Sequence, residues 1–139
     1  MKALKQLMLL GLSTLVLGSG ASQAADIRVG FGLDALTLDP GNHRSRETET
    51  IIRNLYDGLL TRDSKMQVVP ELVSSWKQTD VTTYEFKLRQ GVKFHSGDEM
   101  TSDDVKFTFD RLIKKDMIDG KSSPRAGLLG PLKEVVAVD

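Results

Sequence analysis

The chain has 139 residues, of which 40% are hydrophobic and 27% charged, and Lys plus Arg equals Asp plus Glu at 19 each. This composition is ordinary for a globular protein of one modest domain. Balanced charge without basic runs gives no indication of nucleic acid as a partner. The absence of cysteine excludes disulfides and a lipid-modified N-terminal cysteine.

Residues 1–24 have the order of a secretory signal peptide. MKALKQ supplies two lysines, LMLLGLSTLVLG is an apolar run, and SGASQAAD is small and polar. The apolar run, about a dozen residues, is too short for a membrane-spanning helix, which needs about 20. We therefore expect cleavage before Ala25 and a periplasmic protein that is not a lipoprotein. A short anchor that stays attached is the alternative.

A strand and an irregular loop are predicted next. Apolar residues alternate in DIRVGFG, residues 26–32, which is typical of a strand. Pro40 and Gly41 then interrupt regular structure. Leu36 and Leu38 are apolar residues within this loop, and they either line a pocket or pack back against the core.

A helix and a hairpin follow. Ser45 is a good N-cap, acidic residues occupy the first turn, and Gly58 is a natural stop, so a helix is predicted over residues 45–58. Residues 59–69 predict two short strands around a turn at residues 63–65.

The central part of the chain predicts a second hairpin. Residues 71–76 indicate a short helical turn that brings Trp76 inward, and the following hairpin turns near Asp80. The returning strand is the most regular of the chain, because apolar and polar side chains alternate along it. We expect its apolar face to be buried: Tyr84, Phe86 and Leu88.

The last predicted elements are a helix and a strand. Thr101 and Asp104 have the spacing of a capping box, and charges at both ends of residues 101–115 match the helix dipole. KEVVAVD, residues 133–139, predicts a strand. Several short strands and two packed helices predict an α+β fold. We expect it to be the first part of a larger fold.

The segment HSGDEMTSDD, residues 95–104, is the strongest candidate for chemistry. A stable metal site usually needs three or four ligands, but His95 is alone, since His43 lies in a separate loop. Turn and cap roles explain the acidic residues better. No metal or cofactor is therefore expected.

Catalysis by the same segment is also disfavoured. Ser96 is adjacent to His95, and adjacent residues of an extended segment point to opposite faces. The chain has no G-x-S-x-G nucleophile elbow and no nucleotide-binding glycine motif. We interpret the segment as structural, and we expect no catalytic residue and no enzymatic activity.

The chain resembles the solute-binding proteins of ABC importers for peptides, nickel and opines, known as family 5. LTLDP, NLYDGLL, VVPELVSSW and LKEVVAVD are similar to family segments. The main signature, YxFxLRxGVKFHxGxxxTxxDVxFxxxR, is matched at Tyr84, Phe86, Leu88, Arg89, Gly91, Val92, Lys93, Phe94, His95, Gly97, Thr101, Asp104, Val105, Phe107 and Arg111.

The resemblance implies the N-terminal portion of a two-lobed periplasmic-binding-protein fold of the type II kind. It places the first strand and loop of the large lobe at residues 25–43 and a small β-rich α+β subdomain, incomplete at its C-terminus, at residues 44–139. Family members are several times longer and enclose their ligand between the lobes, so a truncated fragment is expected.

The implied function is capture of a peptide or similar small solute for delivery to ABC permease subunits in the inner membrane. The alternative is a free-standing exported interaction domain without a transport role. Within this chain the resemblance favours the loop after the first strand as a contributor to ligand binding, the other reading being that these residues only hold the loop. The candidates are Asp34, Ala35, Leu36, Thr37, Leu38, Asp39 and Asn42.

Overall fold

The structure, a computed structural model, describes residues 26–138, of which residues 31–138 belong to one compact unit. The predicted signal peptide lies outside the described residues. The α+β composition predicted from the sequence is confirmed. The described elements are α1 (Arg46–Ile52), β1 (Leu60–Arg62), β2 (Val68–Pro70), β3 (Val73–Asp80), β4 (Thr83–Leu88), α2 (Ser102–Ile113) and a 3-10 helix (Ala126–Leu129).

Helix α1 begins where the sequence predicts and ends well before Gly58. The Ser45 hydroxyl accepts a hydrogen bond from the Thr48 N–H at 3.1 Å, which makes Ser45 the N-cap. After Ile52 the Asn54 and Leu55 N–H groups donate to carbonyls three residues back, and the Asn54 side-chain amide donates to the Thr50 carbonyl at 2.7 Å. This local competition for carbonyl groups ends the helix early.

Strands β1 and β2 form the first predicted hairpin, with an antiparallel register of Leu60 opposite Pro70 and Arg62 opposite Val68. Asp63 organises the turn, because its carboxylate accepts the N–H groups of Lys65 and Gln67 at 2.8 and 2.9 Å. The prediction of two short strands around this turn is confirmed.

Strands β3 and β4 form the second hairpin, which turns after Asp80 as predicted. The helical turn predicted for residues 71–76 is wrong, because β3 begins at Val73, which pairs with Leu88. Cross-strand pairing overrides the local helical pattern, and a β-branched valine and an aromatic residue suit a strand.

The aromatic face of this hairpin is exposed, contrary to the prediction. Tyr84 is 55% exposed, Phe86 is 38% exposed, and Trp76, which lies opposite Phe86, is 37% exposed. The reason is that no other described element covers this face of the hairpin. Only the end of the hairpin is covered, where Val73 is fully buried and Leu88 is half-buried.

Helix α2 agrees with its predicted bounds to within two residues. Thr101 donates both its backbone N–H and its hydroxyl to the Asp104 carboxylate, each at 2.8 Å. These bonds hold the pKa of Asp104 below its usual value. Neither α-helix of residues 26–138 has the length and apolarity needed to cross a membrane.

No strand is assigned at the two ends of the described chain. Residues 26–32 and residues 133–138 have the predicted alternation but no regular element in the structure. An alternating pattern becomes a strand only when a second strand satisfies its backbone groups. Both strand predictions are therefore wrong for the described residues, whereas the division at residue 43 stays a prediction.

Among residues 26–138, few apolar side chains are buried, and they come from different parts of the chain. They are Ile52, Val73, Met100 and Ile118. Because this core is small, polar contacts hold much of the loop before α1 in place.

Candidate functional site

Residues 34–43, which we call the binding loop, have no regular backbone pairing and are held by side-chain oxygens. Within the loop, the Asp39 carboxylate accepts the Gly41 N–H at 2.9 Å, and the Thr37 hydroxyl accepts the Asp39 N–H at 3.1 Å. Helix α1 adds a further contact, because buried Thr48 accepts the Leu36 N–H at 3.1 Å. The loop therefore has a defined shape.

The two leucines of the binding loop face outward. Leu36 is 76% exposed and Leu38 is 58% exposed, so the alternative that they pack back against the core is wrong in the described structure. Asp34 and Asn42 are exposed as well, whereas Ala35, Thr37 and Asp39 are half-buried. The outer surface of the loop thus combines two large apolar side chains with polar groups.

Arg111 of α2 anchors the loop through Asp39. Its Nη2 lies 2.6 Å from Oδ2, and its Nη1 lies 3.4 Å from Oδ1. Burial alone would raise the pKa of Asp39, but the hydrogen bonds from Arg111 and the Gly41 N–H, with the arginine charge, lower it. These contacts therefore favour the ionised carboxylate, which is the form that pairs with Arg111.

Arg125 makes the second anchor. Its Nη1 lies 2.7 Å from the Glu49 carboxylate, 3.2 Å from the Pro40 carbonyl oxygen and 3.2 Å from His43 Nε2. Next to it, the buried Ser123 hydroxyl donates to the Gly41 carbonyl at 2.7 Å. The segment before the 3-10 helix thus contacts the end of the loop at three positions, Pro40, Gly41 and His43.

Glu49 of α1 lies between two arginines. Burial alone would raise its pKa, but hydrogen bonds from Arg125 and Arg53 and their charges outweigh burial and lower it. Arg53 reaches the other carboxylate oxygen, with Nε 3.1 Å from Oε1. Of the two arginines, only Arg125 also contacts the loop. Glu49 supplies the negative charge that pairs with Arg125.

Gly41 lies in a closely packed position. A Cβ at this position would lie 3.3 Å from the Asp39 carboxylate, 3.3 Å from Leu112 Cδ2 and 3.4 Å from Ile118 Cδ1. The first two distances are shorter than most van der Waals contacts, so a methyl group here would require these neighbours to shift by a few tenths of an ångström. The loop backbone can approach α2 and Ile118 because this residue has no side chain.

The segment around His95 forms a turn, as interpreted from the sequence. Gly97 has φ 96°, its N–H bonds the Phe94 carbonyl, and the Ser96 hydroxyl bonds the Asp98 carboxylate at 2.8 Å. His95 is exposed, and Ser96 is committed to Asp98. Among residues 26–138, no three His, Cys, Asp or Glu side chains are grouped as metal ligands.

Sequence reasoning found the loop but missed most of its anchors. Asp39 is one of the predicted ligand contacts, and in the structure its carboxylate pairs with Arg111. His43 and Arg125 lie 82 residues apart and meet in the structure, which no local pattern indicates. Arg111 could be singled out from the sequence because it matches the family signature. The signature does not indicate that Asp39 is its partner.

Comparison with known proteins places this chain among binding proteins. The model of the bacterial extracellular solute-binding proteins, family 5, matches residues 67–139, just over half of the chain. The matched region contains both strands of the second hairpin, α2 and the anchoring residues of the segment before the 3-10 helix. The binding loop lies outside it.

Curated relatives extend the similarity. The glutathione-binding protein GsiB of Escherichia coli strain K12 is 33% identical over 106 residues, covering 76% of this chain and 21% of that protein. Protein YhjP of Bacillus subtilis strain 168 is 37% identical over 101 residues, covering 72% and 17%. The chain therefore spans about a fifth of the length of these relatives.

A solved structure is also similar. The oligopeptide-binding protein AppA from Bacillus subtilis, in complex with a nonapeptide, matches with a TM-score of 0.52 and 36% sequence identity. The match covers 55% of this chain and 15% of that protein. The resemblance read from the sequence is confirmed.

Proposed function

This chain belongs to the bacterial extracellular solute-binding proteins of family 5, and from that premise we propose that it takes part in solute capture for an ABC importer. The solute is a peptide or a similar small molecule, and the captured solute passes to permease subunits in the inner membrane. The proposal includes export to the periplasm by the N-terminal signal peptide, and a role in binding rather than catalysis.

The observation that carries the proposal is the family match over residues 67–139. Two relatives support the solute class, since one is named as glutathione-binding and another was solved with a nonapeptide. Both ligands contain peptide bonds. A short peptide is therefore the first ligand class to test.

We place the contribution of this chain to ligand binding in the binding loop. Leu36 and Leu38 present apolar side chains outward, and Asp34 and Asn42 supply exposed polar groups beside them. Ligand sites combine apolar lining with a few oriented polar groups. A peptide offers both complementary features, through its side chains and its backbone.

Uptake by the host bacterium is the decisive experiment. Deletion of the gene is expected to abolish uptake of labelled glutathione or of a labelled nonapeptide, and the wild-type gene is expected to restore it. The double variant Leu36→Ser/Leu38→Ser should fail to restore uptake, whereas Phe107→Ser, which changes an exposed residue of α2, should restore it. Unchanged uptake of both probes after deletion would contradict the proposal.

Binding is measured separately by thermal shift of the purified protein. A ligand that binds only the folded state raises the free energy of unfolding by RT ln(1 + [L]/Kd), and the melting temperature rises with it. Glutathione and the nonapeptide are each titrated, with free glycine as the control for unspecific effects. A shift with one peptide probe and none with glycine is expected.

The second candidate, an exported interaction domain, is favoured by one observation. The side chains of Trp76, Tyr84 and Phe86 form an exposed aromatic face on the second hairpin. Such faces are typical of interaction surfaces. The uptake experiment separates the two functions, since an interaction domain without a transport role leaves uptake unchanged when it is deleted.

A further inference from the structure

The anchors of the binding loop lie outside the loop and far along the chain. Arg111 and Asp39 are 72 residues apart, and Arg125 and Pro40 are 85 residues apart. These residues leave the exposed outer surface of the loop free. Their effect on a ligand would therefore be indirect, through the position of the loop.

Arg125 has the most extensive contacts of these anchors. A single nitrogen, Nη1, lies within 3.2 Å of acceptors on Pro40, His43 and Glu49. Two of these residues belong to the binding loop and the third belongs to α1. One side chain therefore fixes the loop and the helix relative to each other.

The contact with His43 determines the state of the imidazole. A guanidinium group has donors and no acceptor, so this contact is a hydrogen bond when His43 Nε2 is the accepting nitrogen. In that tautomer the ring proton is on Nδ1. That atom is buried and has no hydrogen-bond partner among the described residues, and the whole residue is only 3% exposed.

We propose that Arg125 is a positioning residue for the binding loop, which it holds through the Pro40 carbonyl and the Nδ1–H tautomer of His43. The inference rests on the proposed function, because it assigns the loop a role in binding. Without Arg125, Glu49 keeps Arg53, whereas His43 has no donor for Nε2. The end of the loop then loses its contacts at Pro40 and His43, while the Arg111 and Ser123 anchors and the cap of α1 remain.

The chain offers a matched control in Arg53. Both arginines bind the same carboxylate, Arg125 at 2.7 Å and Arg53 at 3.1 Å. Arg53 is exposed and makes no hydrogen bond to the loop in the described structure. Arg125→Gln and Arg53→Gln thus remove the same charge from the same partner, and only the first removes the loop contacts.

Ligand affinity tests the positioning role. With glutathione and a nonapeptide as probes in calorimetry, Arg125→Gln is expected to weaken binding about tenfold, a change of about 1.4 kcal/mol. Arg53→Gln should stay within about twofold. Arg125→Lys restores a cationic donor and should recover part of the loss. Equal effects of the two glutamine variants would overturn the proposal.

Imidazole NMR supplies a readout that general destabilisation does not produce. The chain has two histidines, and His95→Gln identifies the His43 signals. At neutral pH, wild-type protein and Arg53→Gln should show an Nε2 that carries no proton and accepts a hydrogen bond. Their Nδ1 should carry the ring proton. Arg125→Gln should lose this pattern, and Ser123→Ala, which removes a neighbouring anchor, should keep it.

The NMR arm also separates this inference from the proposed function. If wild-type protein binds neither probe, the ligand proposal fails, and the loop is assessed by its own backbone amide signals. Changes concentrated in residues 34–43 of Arg125→Gln would support the positioning role. An unchanged His43 pattern and unchanged loop signals in a folded Arg125→Gln protein would overturn it.

Discussion

Two regions of this protein use charged residues in different ways. The binding loop is held by arginines from distant parts of the chain, and the ion pair between Arg111 and Asp39 has side chains only 27% and 28% exposed. The second hairpin carries a pair between Lys77 and Glu85 whose side chains are 64% and 61% exposed. The two pairs are both short, at 2.6 and 3.2 Å, yet their surroundings differ.

The difference shows that distance alone is a poor measure of what an ion pair contributes. Water screens the exposed pair of the hairpin, and holding two long side chains in place offsets the remaining attraction. The partly buried pair of the loop keeps more of its Coulombic attraction. Its Asp39 carboxylate also accepts the Gly41 N–H. We therefore expect the loop to depend on its charges and the hairpin to depend on backbone pairing.

Removing Asp39 should give the largest effect. Asp39→Ala deletes the acceptor of Arg111 and of the Gly41 N–H, and the free energy of unfolding should fall by about 2–3 kcal/mol. Glu85→Ala in the hairpin should cost less than about 0.5 kcal/mol. Urea denaturation followed by circular dichroism measures both, and similar values for the two variants would remove the distinction between the regions.

Acid should act on the same region. The pKa values of Asp39 and Glu49 are lowered in the folded state, each because arginine hydrogen bonds and charges outweigh burial. Their contribution to stability is therefore present above the unfolded pKa values, about 4, and is lost as the pH falls through the folded values. Asp39→Asn should show a flatter loss of stability below that pH than wild-type protein.

A control for the acid experiment lies in the hairpin. Glu85 pairs with Lys77 where both side chains are well exposed, so Glu85→Gln should follow the wild-type pH profile. Parallel profiles for Asp39→Asn and wild type would mean that the Arg111 contact is not the source of the acid sensitivity.

The sequence predicted the elements that depend on neighbouring residues. The N-cap at Ser45, the turn after Asp80 and the start of α2 at Thr101 depend on residues within a few positions, and these predictions are confirmed. Predictions of burial were less successful, because exposure of the Tyr84 and Phe86 face depends on what else packs there.

The anchors of the candidate site could not be predicted for a related reason. Arg125 has no distinguishing neighbours in a segment of small and flexible residues, and its three acceptors come from residues 40–49. Only the fold brings these groups together. The loop itself could be found, because its apolar residues in a proline- and glycine-containing segment are visible locally.

Loss of the α1 cap should have an intermediate effect. Ser45 accepts the Thr48 N–H, and Thr48 in turn accepts the Leu36 N–H, so the cap supports both the helix and the loop. Ser45→Ala should lower the free energy of unfolding by about 1 kcal/mol. Ser74→Ala removes a hydroxyl bond to the Lys87 carbonyl on the exposed hairpin and should cost about half as much or less.

The smallest effect concerns the aromatic face of the hairpin. Trp76 and Phe86 lie directly opposite each other on β3 and β4, and both are more than one third exposed. Cross-strand aromatic pairs contribute about 0.5 kcal/mol in such positions. A double-mutant cycle of Trp76→Ala and Phe86→Ala isolates this coupling by denaturation.

A coupling near 2 kcal/mol would mean that the face is covered in solution. Sedimentation at two protein concentrations would then show whether a second copy covers it, because coupling that arises within one hairpin is independent of concentration.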